Sequence, residues 1–324
     1  MKIGIFEIKG WEKEYLEKAL EKEVDFFKTD ASSGGDYEAI SVFIGSELNK
    51  EVLDKFPNLK LIATRSTGFD HIDLNYCKEK GIKVANVPTY GENTVAEHAF
   101  GLLLCLSHRI YDGYDRLREK GIYSYEGLEG FDLKGKTIGI IGTGNIGKHS
   151  IRIANGFEMN VIAYDAFPKP EIEKELNFQY KSTLEELLSE SDIVSLHIPY
   201  LKETHHLINK ENISKMKQGS ILINTSRGAI IETDAFIEAL KNGHLGGAGL
   251  DVFEEEGAMK DEMGYLLKGD NKTDLKVLLE NHALIDMENV IVTPHSAFNT
   301  HEAKERILNT TIQNLKGESR NLVK

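Results

Sequence analysis

The segment KTIGIIGTGNIGKHSIRIANGFEMNVIAYD, residues 136–165, admits few folds. An apolar run leads into the turn Gly142-x-Gly144-x-x-Gly147, then a helical pattern, a second apolar run and a carboxylate, Asp165. This is the order of a strand, a tight turn, a helix and a parallel strand. Gly142 suits the tight turn, Gly144 lets a ligand approach the backbone, and Gly147 lets the helix pack closely on the strand. Asn145 and Ile146 open that helix, where free N–H groups and the helix dipole favour a pyrophosphate. Asp165 follows Gly142 by 23 positions, near the spacing of about 20 for a carboxylate that accepts from the adenosine ribose hydroxyls. It would also repel a 2′-phosphate, so NAD is favoured over NADP. Glycine-rich turns join many strands and helices for structural reasons alone, but here strand, turn, helix, strand and acid all agree.

Beyond this segment, apolar runs alternate with helical patterns almost throughout, the sequence form of parallel α/β architecture. The first group of strands is expected at 2–8, 24–27, 40–45, 59–64 and 83–87. A long apolar helix near Asn93–Tyr111 opens the second group, with strands at 137–141, 160–164, 178–180, 192–198, 220–224, 248–252 and 290–293. A chain of 324 residues accommodates two domains with separate cores. The expected helix near Thr300–Asn314 is placed against the first lobe, which makes that domain discontinuous: 1–95 plus 298–324, with 96–297 as the second domain. Thr233 is expected to cap a helix starting at Asp234 and ending before Gly243. Between Glu256 and Glu288 the pattern weakens into an excursion with one short helix near Leu275–Glu280.

Composition excludes several classes of function. The balance of 39 basic against 52 acidic residues, net −13, with the cations spread along the chain, disfavours nucleic acid as a partner. The longest markedly apolar stretch, Ala99–Leu106, is far short of the roughly 20 residues that cross a bilayer. The opening MKIGIFEIKG enters a strand pattern with no signal-peptide core. A cytoplasmic protein without membrane association is therefore expected. Cys77 and Cys105 stand far apart with no metal-ligand spacing, so neither a disulfide nor a metal site is expected.

In an open parallel sheet the ligand lies beyond the carboxyl ends of the strands. Arg227 follows the run SILINTS and precedes Gly228; a guanidinium there can grip a carboxylate through two parallel hydrogen bonds and polarise an adjacent carbonyl. A surface arginine is the plainer alternative. His295 ends the run VIVTPH, and its imidazole can give and take a proton near neutral pH; it can equally be a strand-end histidine bonded to backbone. Glu254, Glu255 and Glu256 follow Asp251 in GLDVFEEE. A carboxylate beside the histidine would orient it, and spacing alone does not choose among the three. His98, His197, His205 and His206 read as core or surface residues.

Taken together, RSTGFDHID, NVPTYGENTVAEHA, GTGNIG with Asp165, LHIPYLKETHHLI, INTSRG, GLDVFEEE and TPHSAFNT resemble the D-specific 2-hydroxyacid dehydrogenase family, and within it the D-lactate dehydrogenases. The likeness runs in order from about Leu61 to Thr300. It implies an NAD-dependent oxidoreductase with a flavodoxin-like substrate domain, a Rossmann NAD domain and a cleft between them. By resemblance, Arg227 binds the carboxylate of a small 2-oxoacid and polarises its carbonyl, His295 is the general acid/base, and Glu256 is its partner. Thr67 and Gly68 offer backbone N–H groups to the carboxylate, Tyr90 borders the pocket, and Phe298 contacts the substrate side chain. Asp251 faces the nicotinamide amide. Pro199, Thr204 and Thr225 complete the cofactor-binding set with Gly142, Gly144, Asn145, Ile146, Gly147 and Asp165. Relatives form dimers around the long helix after Asn93, so a homodimer is expected.

Two departures bear on the substrate side chain. Asn299 stands where D-lactate enzymes usually carry an aromatic residue, and the acidic excursion before Ile291 is longer than in the bacterial pattern. Pyruvate and D-lactate are the expected pair; glycerate or a bulkier 2-hydroxyacid is the alternative within the same chemistry. Related corepressors that sense NAD and act through protein interaction keep the same Arg, Glu and His, so the triad alone does not separate them from enzymes. Glutamate at 256 disfavours formate dehydrogenase, where that position resembles glutamine.

Overall fold

The computed structural model describes residues 1–20, 23–256, 259, 272–317 and 321–323. Its contacts divide the chain into two units, Met1–Tyr90 with Asn299–Lys324, and Gly91–Phe298. The sequence places these junctions at 95/96 and 297/298.

The first unit holds strands β1 (Ile3–Ile5), β2 (Val24–Phe26), β3 (Ala39–Val42), β4 (Leu61–Thr64) and β5 (Lys83–Ala85). They pair in parallel in the order β2-β1-β3-β4-β5, the flavodoxin-like arrangement. Period-two alternation splits its core. Ile62 of β4 faces a cluster with Phe6, Leu53, Phe56 and Tyr76, while Ala63 faces the opposite cluster with Leu16, Leu308, Ile312 and Leu315. That second face is covered by α1 (Glu12–Ala19) and by the last helix, His301–Lys316, whose N-cap Thr300 accepts from the Ala303 N–H. Two short helices, α2 (Lys50–Leu53) and α3 (Leu74–Lys80), follow β3 and β4. At the carboxyl edge the buried Arg65 guanidinium donates to Ser41 Oγ and to the carbonyls of Phe6 and Glu7, tying the ends of β1, β3 and β4 together.

The second unit opens with α4 (Glu92–Ser107) and α5 (Ile110–Arg118). The single helix predicted over Asn93–Tyr111 is thus two. The Ser107 carbonyl accepts from Phe131 N–H rather than continuing the helix, and Arg109 turns to φ +50 with its Nε on Asp112. Seven parallel strands follow: β6 (Thr137–Ile141), β7 (Asn160–Tyr164), β8 (Gln179–Tyr180), β9 (Ile193–Leu196), β10 (Ser220–Asn224), β11 (Leu245–Leu250) and β12 (Val290–Val292). Their order, β12-β11-β10-β9-β6-β7-β8, is that of the doubly wound dinucleotide-binding fold, with its switch point between β6 and β9. Ile138, Ile140, Ile193 and Ile223 face α4 and α6 (Asn145–Gly156), whereas Ile141, Leu196, Leu222 and Leu250 face the other side. Further helices of the unit among the described residues include α7 (Pro170–Leu176), α8 (Leu184–Glu190), α9 (Lys210–Ile213), α10 (Thr233–Lys241) and α11 (Lys272–Ile285); the helix His301–Lys316 is α12.

Two local expectations change. Thr233 is the first residue of α10 and its hydroxyl donates to Glu254 Oε2 at 2.6 Å, so the helix has no side-chain cap. The short helix predicted at Leu275–Glu280 is the longer α11; much of the excursion before it lies outside the described residues.

Candidate active site

The glycine-rich turn lies where β6 meets α6, at the switch point. Gly142 has φ +95, and a Cβ there would lie 2.5 Å from the His197 carbonyl oxygen. A Cβ on Gly147 would lie 2.0 Å from the Gly142 oxygen, so the helix reaches the strand only because both residues lack side chains. Gly144 differs: nothing lies within 4 Å of its Cβ position, and as the N-cap of α6 it supplies no side chain to the first N–H groups. An open backbone face at an uncapped helix terminus, led by Asn145 and Ile146, fits the pyrophosphate of NAD. Asp165 ends β7 beside this turn. Its Oδ2 accepts from the N–H (2.7 Å) and hydroxyl (2.9 Å) of Thr143, and its Oδ1 accepts from Phe167 N–H (2.8 Å).

The next strand ends continue the same edge. Leu196 of β9 is level with Ile141 of β6 and Asn224 of β10, which sets His197 and Thr225 beside Gly142. His197 Nε2 meets Ser195 Oγ at 3.0 Å, while its Nδ1 and Thr225 Oγ1 are buried without a hydrogen-bond partner. Burial pushes the His197 imidazole down to about 4, so it is neutral at physiological pH. The Thr204 hydroxyl bonds to the Pro199 carbonyl and accepts from Leu201 N–H, closing the turn that follows β9.

Arg227 is aimed by the loop after β10. The fully buried Asn224 side chain accepts from Ser226 N–H and donates to the Arg227 carbonyl, and Ser226 Oγ donates to the Leu196 carbonyl. Gly228 is pressed against the next loop: its Cβ position lies 1.8 Å from the carbonyl carbon of Phe253. Any side chain there would push apart the segments carrying Arg227 and Glu256.

His295 and Glu256 meet directly. Glu256 Oε2 lies 2.7 Å from His295 Nδ1, and Glu256 Oε1 accepts from Phe253 N–H. Because a carboxylate only accepts, Nδ1 carries the proton in this contact and Nε2 is the nitrogen that does not face Glu256. Both residues are partly exposed, 28% and 22% of their side chains. Their backbones are constrained: His295 has φ +50 and the neighbouring Glu255 φ +54, values seldom taken by residues other than glycine. Asp251 holds the histidine loop. It is 1% exposed, its carboxylate accepts from the N–H groups of Ser296 and Ala297 (both 2.8 Å) and from the Thr293 hydroxyl, and its carbonyl accepts from His295 N–H. The carboxylate predicted to face nicotinamide is thus engaged within its own unit. His98 of α4 joins the cluster, with Nε2 2.9 Å from Thr293 Oγ1. Glu254 anchors the acidic loop through His206 Nε2 (2.9 Å), Thr233 Oγ1 and Asn281, whose side chain donates to its carbonyl. Phe298 ends the unit beside Gly91.

Sequence reasoning did not name Asn224 or Thr293, read His98 and His206 as core or surface residues, and left Glu254 as one of three glutamates that could meet the histidine. Only the polar character of Thr293 and Asn224 at the ends of apolar runs pointed toward them.

In the first unit, Thr67 and Gly68 follow β4. Thr67 Oγ1 donates to the Val87 carbonyl, the Thr67 carbonyl accepts from Asn86 Nδ2, and Ser66 Oγ donates to the Gly68 carbonyl. These bonds use side chains and carbonyls, and among the described residues the Thr67 and Gly68 N–H groups have no acceptor. The Tyr90 carbonyl accepts from Arg306 Nε. Among the described residues no cluster of His, Cys, Asp or Glu has the form of a metal site.

Comparison with known proteins agrees with this geometry. The profile of the D-isomer specific 2-hydroxyacid dehydrogenase NAD-binding domain matches residues 100–297. D-lactate dehydrogenase of Escherichia coli K12 is 39% identical over 336 residues, covering 98% of each chain. Glyoxylate reductase of Thermococcus litoralis is 39% identical over 285 residues, 86% of this chain and 79% of that protein. The crystal structure of Aquifex aeolicus D-lactate dehydrogenase complexed with NAD and lactic acid superposes with a TM-score of 0.84 at 39% identity, covering 98% of this chain and 95% of that one. With a dinucleotide turn and a histidine–glutamate pair on one edge of its larger sheet, the chain belongs to the D-isomer specific 2-hydroxyacid dehydrogenases, NAD-dependent oxidoreductases that interconvert 2-oxoacids and D-2-hydroxyacids.

Proposed function

We propose that the preferred substrate pair is pyruvate and D-lactate. The observation that carries the chemistry is the 2.7 Å contact between His295 Nδ1 and Glu256 Oε2, which leaves Nε2 facing away from the carboxylate. The choice of pyruvate rests on the near-complete match to D-lactate dehydrogenases. Arg227 binds the substrate carboxylate and polarises the C2 carbonyl, and the N–H groups of Thr67 and Gly68 add donors to that carboxylate. When bound, reduced NAD supplies the hydride that C2 accepts. Protonated His295 gives its Nε2 proton to the carbonyl oxygen, and Glu256 stabilises the imidazolium before transfer; in the oxidative direction neutral His295 takes the hydroxyl proton. Tyr90 and Phe298 border the substrate side chain. Gly142, Gly144, Asn145, Ile146, Gly147 and Asp165 hold the adenosine and pyrophosphate end of NAD, and Pro199, Thr204, Thr225 and Asp251 the nicotinamide end. For Asp251 this role is indirect, through the loop it holds.

A homodimer is part of the proposal. Ile110, Tyr111, Tyr114 and Leu117 of α5 and the following Ile122, Tyr123 and Tyr125 are all at least half exposed, an apolar surface of the kind that marks an interface. A cytoplasmic location is proposed from the two free cysteines and from the absence, among the described residues, of a helix long and apolar enough to cross a membrane. The net charge of −13 favours small-molecule over nucleic-acid partners.

The test is steady-state NADH oxidation with pyruvate, glyoxylate, hydroxypyruvate and branched 2-oxoacids, with chiral analysis of the product. Pyruvate should give the highest kcat/KM and D-lactate the product. A higher value with glyoxylate would move the protein toward the reductase relatives of equal identity. Tight NADH binding with no turnover of any acid would instead support an NAD-sensing interaction protein.

A further inference from the structure

Asp165 is not a free carboxylate at the end of β7; it terminates a chain of hydrogen bonds that begins at the N-cap of α7 and passes through a residue of β8. Thr143, the residue between Gly142 and Gly144, donates to Asp165 Oδ2 twice, from its N–H at 2.7 Å and its hydroxyl at 2.9 Å. Thr143 Oγ1 is also 2.7 Å from Tyr180 Oη, and Tyr180 Oη accepts from Lys169 N–H at 3.3 Å. A hydroxyl has a single hydrogen. Since an ionised carboxylate only accepts, the Thr143 hydrogen goes to Asp165, the Tyr180 hydrogen goes to Thr143, and the Tyr180 oxygen receives from Lys169. The polarity of the whole chain is therefore set, running from Lys169 N–H through Tyr180 and Thr143 to Asp165.

Phe167 N–H completes the arrangement by donating to Asp165 Oδ1 at 2.8 Å. Three donors hold the carboxylate, two on Oδ2 and one on Oδ1. Each oxygen has about two acceptor positions, so Oδ2 is filled and one position on Oδ1 is left for a ligand hydroxyl. Thr143 is 3% exposed, and the Tyr180 ring packs edge-on against Phe178 with centroids 4.8 Å apart, so neither hydroxyl is supplied by a mobile surface group.

We infer that Thr143 and Tyr180 are positioning residues for cofactor choice: they lock Asp165 in the one orientation in which its open acceptor site meets the ribose hydroxyls and its charge opposes a 2′-phosphate. This rests on the assignment of the adenosine end of NAD to Asp165. A carboxylate that can rotate away loses on both counts, because it binds the hydroxyls less well and opposes the phosphate from farther off. The effect appears as a changed ratio of NADH to NADPH affinity rather than as a general loss of binding.

The experiment is direct titration of the full-length protein with NADH and with NADPH, followed by nucleotide fluorescence without any oxoacid, for wild type, Thr143→Val, Thr143→Ser and Tyr180→Phe. Thr143→Val removes the hydroxyl that donates to a charged acceptor; its preference for NADH should fall by about tenfold, with weaker NADH binding and equal or tighter NADPH binding. Tyr180→Phe, which keeps the ring, should lower the ratio by about two- to threefold. Thr143→Ser, which restores the hydroxyl, should return the ratio to within about twofold of wild type. Wild type that binds neither nucleotide would overturn the assignment of the site itself. Wild type that prefers NADH while Thr143→Val keeps the same ratio would overturn the positioning role and leave that assignment standing. Equal loss of both nucleotides in Thr143→Val, not reversed in Thr143→Ser, would show that Thr143 serves only the shape of the turn. If Thr143→Val does not fold, Tyr180→Phe decides alone, and an unchanged ratio in it overturns the relay.

Discussion

The turn after β6 and the loop after β12 sit on the same carboxyl edge of the same sheet, and they are built in opposite ways. The turn is made of backbone. Its shape follows from three glycines within six residues, and its capacity for phosphate follows from a helix that begins with no side-chain cap. The loop after β12 is made of side chains that come from elsewhere. His295 is oriented by Glu256, 39 positions earlier, and its backbone is held by Asp251, with His98 closing the cluster through Thr293 across 195 positions. A cofactor site that reads a constant pyrophosphate can be local. The proton transfer proposed for His295 needs groups of different chemistry at fixed distances, and these are assembled across the sheet. The two histidines of the edge show the same division: His197 is buried and kept neutral beside the glycine turn, whereas His295 is partly exposed, backbone-strained and hydrogen-bonded to a carboxylate.

The largest expected effect breaks the assembled side and leaves the local one intact. His295→Ala should lower kcat/KM for the oxoacid by about 10² to 10⁴ while the NADH dissociation constant measured without oxoacid stays within about twofold of wild type; a kcat/KM within a factor of three would sink the acid/base assignment. Next is the acid response of the glycine-turn region. The folded-state value of His197, about 4, lies below its ordinary 6.5, so the unfolded chain binds the proton first. Its contribution to stability is complete above pH 6.5 and is lost as pH falls toward 4, on the order of 3 kcal/mol in all. Denaturant titrations at a series of pH values should therefore show a shallower acid-side decline in His197→Gln than in wild type.

A third, smaller pair of changes separates the functions of two glycines in one turn. Gly147→Ala forces a Cβ to within 2.0 Å of a backbone oxygen and should cost about 1–3 kcal/mol of stability, seen as a lower midpoint of chemical unfolding. Gly144→Ala meets nothing within 4 Å; stability should change by less than about 0.5 kcal/mol, while NADH binding weakens by about tenfold as the added methyl occupies the phosphate's approach. Equal loss of stability in both variants would show that the open face at Gly144 is not what the turn preserves.

The strand positions were legible because each strand is a short apolar run bounded by polar or glycine residues, and each extends at most a few residues beyond its paired core. Helix ends were less legible. The break between α4 and α5 depends on Phe131 capturing the Ser107 carbonyl, a contact between segments that share no local pattern. Thr233 looks like a cap in isolation, yet its hydroxyl has a charged partner 21 positions away, and a bond to a carboxylate outweighs one to a backbone amide. Arg227, Glu256 and His295 were found as candidates because they follow apolar runs. Spacing alone left three adjacent glutamates open and the family resemblance pointed to Glu256; in three dimensions Glu254 turns to His206 and Thr233, and Glu256 turns to His295.

By itself, then, the amino-acid order determined the two parallel sheets, the dinucleotide turn and the chemical types available at the strand ends. These depend on periodicity, glycine placement and hydrogen bonds between near neighbours, all of which are written locally. Only the tertiary structure decided which polar groups share a hydrogen bond, how Asp165 and Asp251 are held, and which nitrogen of His295 meets Glu256. Those outcomes depend on distances between residues tens to hundreds of positions apart, where a displacement of one ångström separates a bond from none.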